Sequence, residues 1–141
     1  MPNTNTQKAA NQLDQGTLEL GSYPASAVAV SAGTKTPTTN YRIFSPGHHH
    51  IVEATIDVTV NASGDSLVLS LCGWDDGAQV WELLIASAAI TSATRYNISV
   101  NPHLAAVANC STPRPVRPLM KVVVSDAGTD VIAYTVTLHA S

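Results

Sequence analysis

The sequence predicts an all-β fold: an antiparallel β-sandwich, jelly-roll or Ig-like, over residues 17–141, preceded by an extended N-terminal arm over residues 1–16. Three observations lead there. Residues 51–60 alternate with period two, Val52, Ala54, Ile56, Val58 and Val60 on one face and Glu53, Thr55, Asp57 and Thr59 on the other. Gly, Asp and Asn turn signals recur between such runs at the spacing of short strands. Helical periodicity is confined to one turn at best, in HLAAVANC (103–110).

The elements follow in order. Residues 1–16, rich in Asn, Gln and Thr, have no period and read as an arm that lies on a partner. Short strands are expected at 17–21 and 27–32, and the stretch 21–47 reads as irregular. Pro46-Gly47 is the turn before the 51–60 strand. Residues 66–72 alternate with Leu67, Leu69 and Leu71 inward, and a loop over Ala62 to Asp65 would pair Val60 with Leu67 in a hairpin. In CGWDDGAQVWELLIA, a three-residue loop Asp75-Asp76-Gly77 with a left-handed Gly would set Leu71 opposite Trp81, with Glu82 outward. Trp81 then caps the core. Val80 and Leu84 give this strand a second apolar face, so it should be central or covered by a partner. Strands are expected at 94–100, 119–125 and 130–138, the last two as a hairpin about Asp126 to Thr129.

Between them, STPRPVRPLMK (111–121) holds Pro113, Pro115 and Pro118 and should run extended. Arg114, Arg117 and Lys121 make it a basic cluster. It reads as a dock for an acidic partner, as a P-x-x-P ligand through Pro115 and Pro118, or as a crossover between the two sheets.

Composition narrows the function. Only 12% of residues are charged, half the usual share of about 25%. The formal charge of −3 supports neither a nucleic-acid partner nor an anionic membrane. No run of apolar residues is long enough for a membrane-spanning helix. The N-terminus shows no secretory pattern, which predicts synthesis in the cytoplasm, reduced Cys72 and Cys110 in buried positions, and unused Asn-x-Ser sequons.

The candidate chemistry is thin. His48, His49 and His50 stand together, three of the chain's five histidines. Two on one strand face supply half a zinc site, but strand parity sets His48 and His50 inward and the carboxylates of Glu53 and Asp57 outward. The tract therefore reads as the entrance to a strand, with His49 facing outward. No nucleophile elbow, phosphate loop or spaced calcium ligand set occurs, so no catalytic residue, metal or cofactor is expected. Recognition remains. Trp74 at the hairpin tip, with Tyr41 and Phe44 in the irregular stretch, are of the residue types that anchor interfaces. Together with Arg114, Arg117 and His49 they form the candidate partner-binding set.

In its polar start MPNTNTQKAANQLDQGTLELGSYPA, its low charge and its Ala, Val, Thr and Ser-rich strands such as IVEATIDVTV and DVIAYTVTLHA, the chain resembles the capsid decoration, or cement, proteins of tailed bacteriophages. That resemblance implies a non-enzymatic virion protein on the capsid exterior, often a homotrimer, bridging subunits of the major capsid protein. The second reading is a lectin-like or adhesin binding module.

Overall fold

The computed structural model describes residues 17–19, 25–32, 38–61, 66–126 and 132–141. The proposed arm and the turns about residues 62–65 and 127–131 lie outside the described residues. Ten strands are present: β1 (Thr17–Glu19), β2 (Ala25–Ala32), β3 (Thr38–Ser45), β4 (Val52–Asn61), β5 (Leu67–Asp75), β6 (Val80–Ala86), β7 (Arg95–Val100), β8 (Ser111–Thr112), β9 (Met120–Asp126) and β10 (Ile132–Ala140). They form two five-stranded sheets, β1-β3-β9-β5-β6 and β2-β10-β4-β7-β8. The candidate helical turn at 103–110 is a series of hydrogen-bonded turns, with Asn109 in the left-handed region at φ 62°. Among the described residues no helix is long and apolar enough to cross a membrane.

The pairing makes the sandwich a jelly roll. Four antiparallel pairs nest inside one another: β5 with β6, β4 with β7, β3 with β9, and β2 with β10. Such a set is one long ribbon wound across two sheets. The short strands β1 and β8 add to the edges in parallel. Inward residues of both sheets meet in one core, where Phe44, Leu69 and Met120 from one sheet and Ile56, Ile98 and Leu138 from the other are fully buried. Each such side chain contributes roughly 1.5–3 kcal/mol by leaving water.

Several expectations change. The strand 66–72 alternates as predicted and 51–60 does so as far as Val58, but a bulge opposite its end leaves Val60 exposed, not inward. Strands β4 and β5 moreover lie in different sheets, so Val60 and Leu67 are not a hairpin pair. The same holds for β9 and β10, whose inward residues Val122, Val124, Val136 and Leu138 face one core from opposite sides. Alternation shows which side chains point inward; it does not show whether the inward partner stands beside a strand or across from it.

The β5–β6 hairpin forms with another register. Trp74 faces Trp81 and Asp75 faces Val80, which leaves a four-residue turn over 76–79. Asp75 Oδ1 accepts from the N–H groups of Gly77 and Ala78 at 3.0 and 3.1 Å, and Gln79, not Gly77, takes the left-handed conformation, at φ 58°. A bulge between Leu71 and Cys72 then sets Leu71 opposite Ile85 and keeps both Leu71 and Leu84 buried. Strand β6 lies at a sheet edge, not in the centre.

Strand β3 runs through the stretch expected to be irregular. Arg42 stands at an inward position between Tyr41 and Ile43 and is fully buried, so its charge interrupts the apolar alternation that identifies the other strands. Residues 113–119 cross from the sheet holding β8 to the sheet holding β9, as the crossover reading required.

Candidate functional site

Because Phe44, Met120, Val122, Leu69 and Leu71 point inward, their neighbours along β3, β9 and β5 point outward. Pairing places these outward residues in rows. Ile43 lies opposite Lys121, Lys121 opposite Cys72, and Cys72 opposite Leu83. Tyr41 lies opposite Val123, and Trp74 opposite Trp81. The outer surface of this sheet is therefore an aromatic and aliphatic face contributed by four strands.

The side chains interlock. The Trp74 and Trp81 rings meet edge to face, centroids 5.2 Å apart and planes inclined at 67°. The Lys121 ammonium lies 4.7 Å from the Trp81 ring centroid and 5.2 Å from that of Tyr41. Trp74 Nε1 donates to Asp76 Oδ1 at 3.4 Å, tying the indole to the turn. Leu83 is 55% exposed, an unusual setting for a leucine on the same face as two tryptophans. Cys72 sits beneath this cluster; burial pushes its thiol up, against a weaker downward pull from Lys121, so it remains a thiol at neutral pH.

The opposite outer face has another character. Thr55, Asp57, Arg95, Thr135 and Thr137 line a shallow polar depression of about 430 Å³. Asp57 pairs with Arg95 at 3.6 Å and Asn97 Nδ2 donates to Thr55 Oγ1 at 2.7 Å. Both partners of that ion pair are well exposed, so it adds little to stability.

The site residues expected from sequence separate. Tyr41 and Trp74 lie on the aromatic face. Phe44 does not: it is fully buried and offers nothing to a partner. His49 is buried, not outward, while His48 and His50 are exposed. The tract is a turn that precedes β4, its His49 N–H donating to Pro46 O at 3.3 Å, so strand parity carried back from Val52 does not apply. The His48 and His49 rings stack with centroids 5.2 Å apart. Among the described residues no three metal-ligating side chains converge. Both thiols are free; Cys110 is exposed, not buried.

Arg114 and Arg117 turn back onto the protein. Both pair with Glu82, and they also donate to Leu83 O at 3.1 Å and Trp74 O at 3.2 Å respectively. They clamp the proline-rich crossover to the β6 edge. Hydrogen bonds from Arg117 and then Arg114 hold the Glu82 carboxyl below its usual range. A depressed carboxyl contributes stability above the unfolded value of about 4.3 and loses it as pH falls through the lowered folded value. Wild type should therefore be more stable than Glu82→Gln at neutral pH, and the gap should close on acidification below about pH 4. Urea unfolding of both at neutral and acid pH measures it; a gap independent of pH would remove the clamp's ionic character.

Trp81, Leu83 and Lys121 are the members of the face that sequence reasoning placed elsewhere. Trp81 read as a core cap because the hairpin register was displaced, and Lys121 read as part of a basic linker. The signal that finds them is the four-residue turn, which puts Trp74 and Trp81 in register.

The fold is thus a jelly-roll β-sandwich with one polar and one aromatic outer face. No family model and no curated protein matches the sequence. Solved structures match at the level of fold. One is Aeromonas hydrophila PliG, a periplasmic inhibitor of g-type lysozyme, at 8% identity over 93% of this chain and 99% of that one, TM-score 0.53. Another is the pre-peptidase C-terminal domain of Bacillus anthracis collagenase, at 9% identity over 89% and 95%, TM-score 0.51. A third is tripeptidyl peptidase 2, at 8% identity over 90% of this chain and 10% of that one, TM-score 0.54. At such identities the likeness shows the sandwich and nothing finer. None of these three is a capsid protein.

Proposed function

We propose that this chain is a non-catalytic β-sandwich binding module, adhesin-like in action, that docks another protein through the outer face of the β3-β9-β5-β6 sheet. One observation carries the proposal: Tyr41, Trp74, Trp81 and the exposed Leu83 share an outward sheet face with no covering element among the described residues. Trp and Tyr on a rigid sheet, ringed by aliphatic side chains, are what dominates protein interfaces.

A sugar platform fits less well. The two indoles meet edge to face and do not present coplanar rings to a chain of pyranoses, and the Lys121 ammonium caps the faces of Trp81 and Tyr41. The capsid-decoration reading is the narrower form of the same proposal, with the major capsid protein as the docked partner, the chain a trimer and the virion exterior its location. Its support is the profile of the sequence; stoichiometric copies in purified heads would establish it.

The test is the variant Trp74→Ala with Trp81→Ala. Its thermal unfolding should stay close to wild type, because both rings lie outside the core. Binding to peptides selected by panning on wild type should fall by at least about 30-fold, the scale of an interface anchor. If a glycan array instead returns ligands that the double variant loses, the face is a sugar platform and the protein-docking reading fails.

A further inference from the structure

On the aromatic face, Lys121 has no carboxylate among its described neighbours across the strands. Its row neighbours are Ile43, Cys72 and Leu83, and the next row holds Tyr41 and Val123. Elsewhere on the described surface, Arg95, Arg114 and Arg117 each reach a carboxylate. Lys121 rests on two aromatic rings instead.

That placement restricts what can cover the face. A partner sealed onto it takes the ammonium out of water, and a buried charge left without an acceptor costs more than the surrounding apolar contact returns. The rings offset part of that loss but do not replace a carboxylate. A second copy of this chain, stacked face to face, would bring two ammonium groups into one shared apolar patch. A nucleic acid needs several cations along its backbone, and among the described residues this face has one.

We infer that the face recognises an apolar polypeptide segment carrying an aspartate or glutamate, whose carboxylate pairs with Lys121 between Trp81 and Tyr41. The inference rests on the docking role of that face. The two rings already hold the lysine in place, so forming the pair freezes little additional side-chain motion. The aliphatic members Ile43, Val123 and Leu83 then supply the apolar contact around the pair, and the ion pair sets the register of the segment.

Panning a displayed random-peptide library on wild type, with the Trp81→Ala protein as counter-selection, tests this. Enriched peptides should combine large apolar residues with Asp or Glu. A synthetic peptide of that kind should bind about tenfold more weakly to Lys121→Gln, and as much more weakly when its own acid is made an amide. Lys121→Glu should restore binding to a peptide whose acid is replaced by lysine. All variants should unfold at the wild-type temperature. Peptides that lose affinity for Trp81→Ala but bind Lys121→Gln unchanged would overturn the carboxylate pairing and leave the docking face intact. If no enriched peptide is weakened by Trp81→Ala, or if the same residues are needed only for binding to phosphatidylserine vesicles, both the pairing and the protein-docking reading fail.

Discussion

Phe44→Ala should destabilise the protein by about 3–5 kcal/mol, roughly a fifth or more of the stability of an ordinary domain. Phe44 is fully buried in the core, and strand β3, which carries it, pairs with β9 from Thr38 to Phe44. The loss should appear in urea unfolding as a lower midpoint with an unchanged slope. Tyr41→Ala, three residues earlier and on the outer face, should cost much less stability and instead weaken partner binding. The two variants together separate the core from the docking face. A small loss for Phe44→Ala, below about 1 kcal/mol, would mean that the side chain is not the core element described.

Gly73→Ala should cost about 1–3 kcal/mol, through overpacking. A Cβ at residue 73 would lie 2.4 Å from Arg117 Cγ and 3.2 Å from Leu84 Cδ1. The Arg117 stem cannot swing aside cheaply, because its guanidinium is held by Glu82 and by Trp74 O. Alanine restricts the unfolded chain and so offsets about 0.4–1 kcal/mol of that strain. In an Arg117→Ala background the penalty should largely disappear, giving a coupling energy on the order of 1–2 kcal/mol in a double-mutant cycle. Equal penalties in both backgrounds would show that Arg117 does not pack on Gly73. The position also matters for the aromatic face: Gly73 leaves room for the Arg117 stem against β5, and the same arginine grips the backbone carbonyl of Trp74.

Much of the strand content was legible because it is local. The alternation of Val52 to Val58, of Leu67 to Leu71 and of Val122 to Val124 correctly marks inward residues, since each side chain's direction follows from its own strand's pleat. The turn at Pro46-Gly47 was legible for the same reason, with Gly47 in the left-handed region at φ 67°. Trp74 and Tyr41 were singled out by residue type as candidate recognition residues. Their common site was not, because it depends on β3, a strand hidden by the inward Arg42, and on the β5–β6 register. Asp75-Asp76-Gly77 suggests a short loop with a left-handed glycine. The carboxylate of Asp75 instead organises a longer one, and that shift of register carries Trp81 from the core rim to the outer face.

By itself, the sequence determined that the chain is built of strands and which side chains β4 as far as Val58, β5 as far as Leu71 and β9 turn inward. Tertiary structure decided the rest. Nested pairing separates the consecutive strands β4 and β5, and likewise β9 and β10, into opposite sheets, and joins β2 to β10 from the two ends of the described chain. It turns Arg114 and Arg117 inward onto Glu82 and gathers Tyr41, Trp74, Trp81 and Lys121 from four strands onto one face. The reason is physical: a period of two encodes the direction of a side chain, whereas which strands become neighbours is settled by closing one core over pairs far apart in sequence.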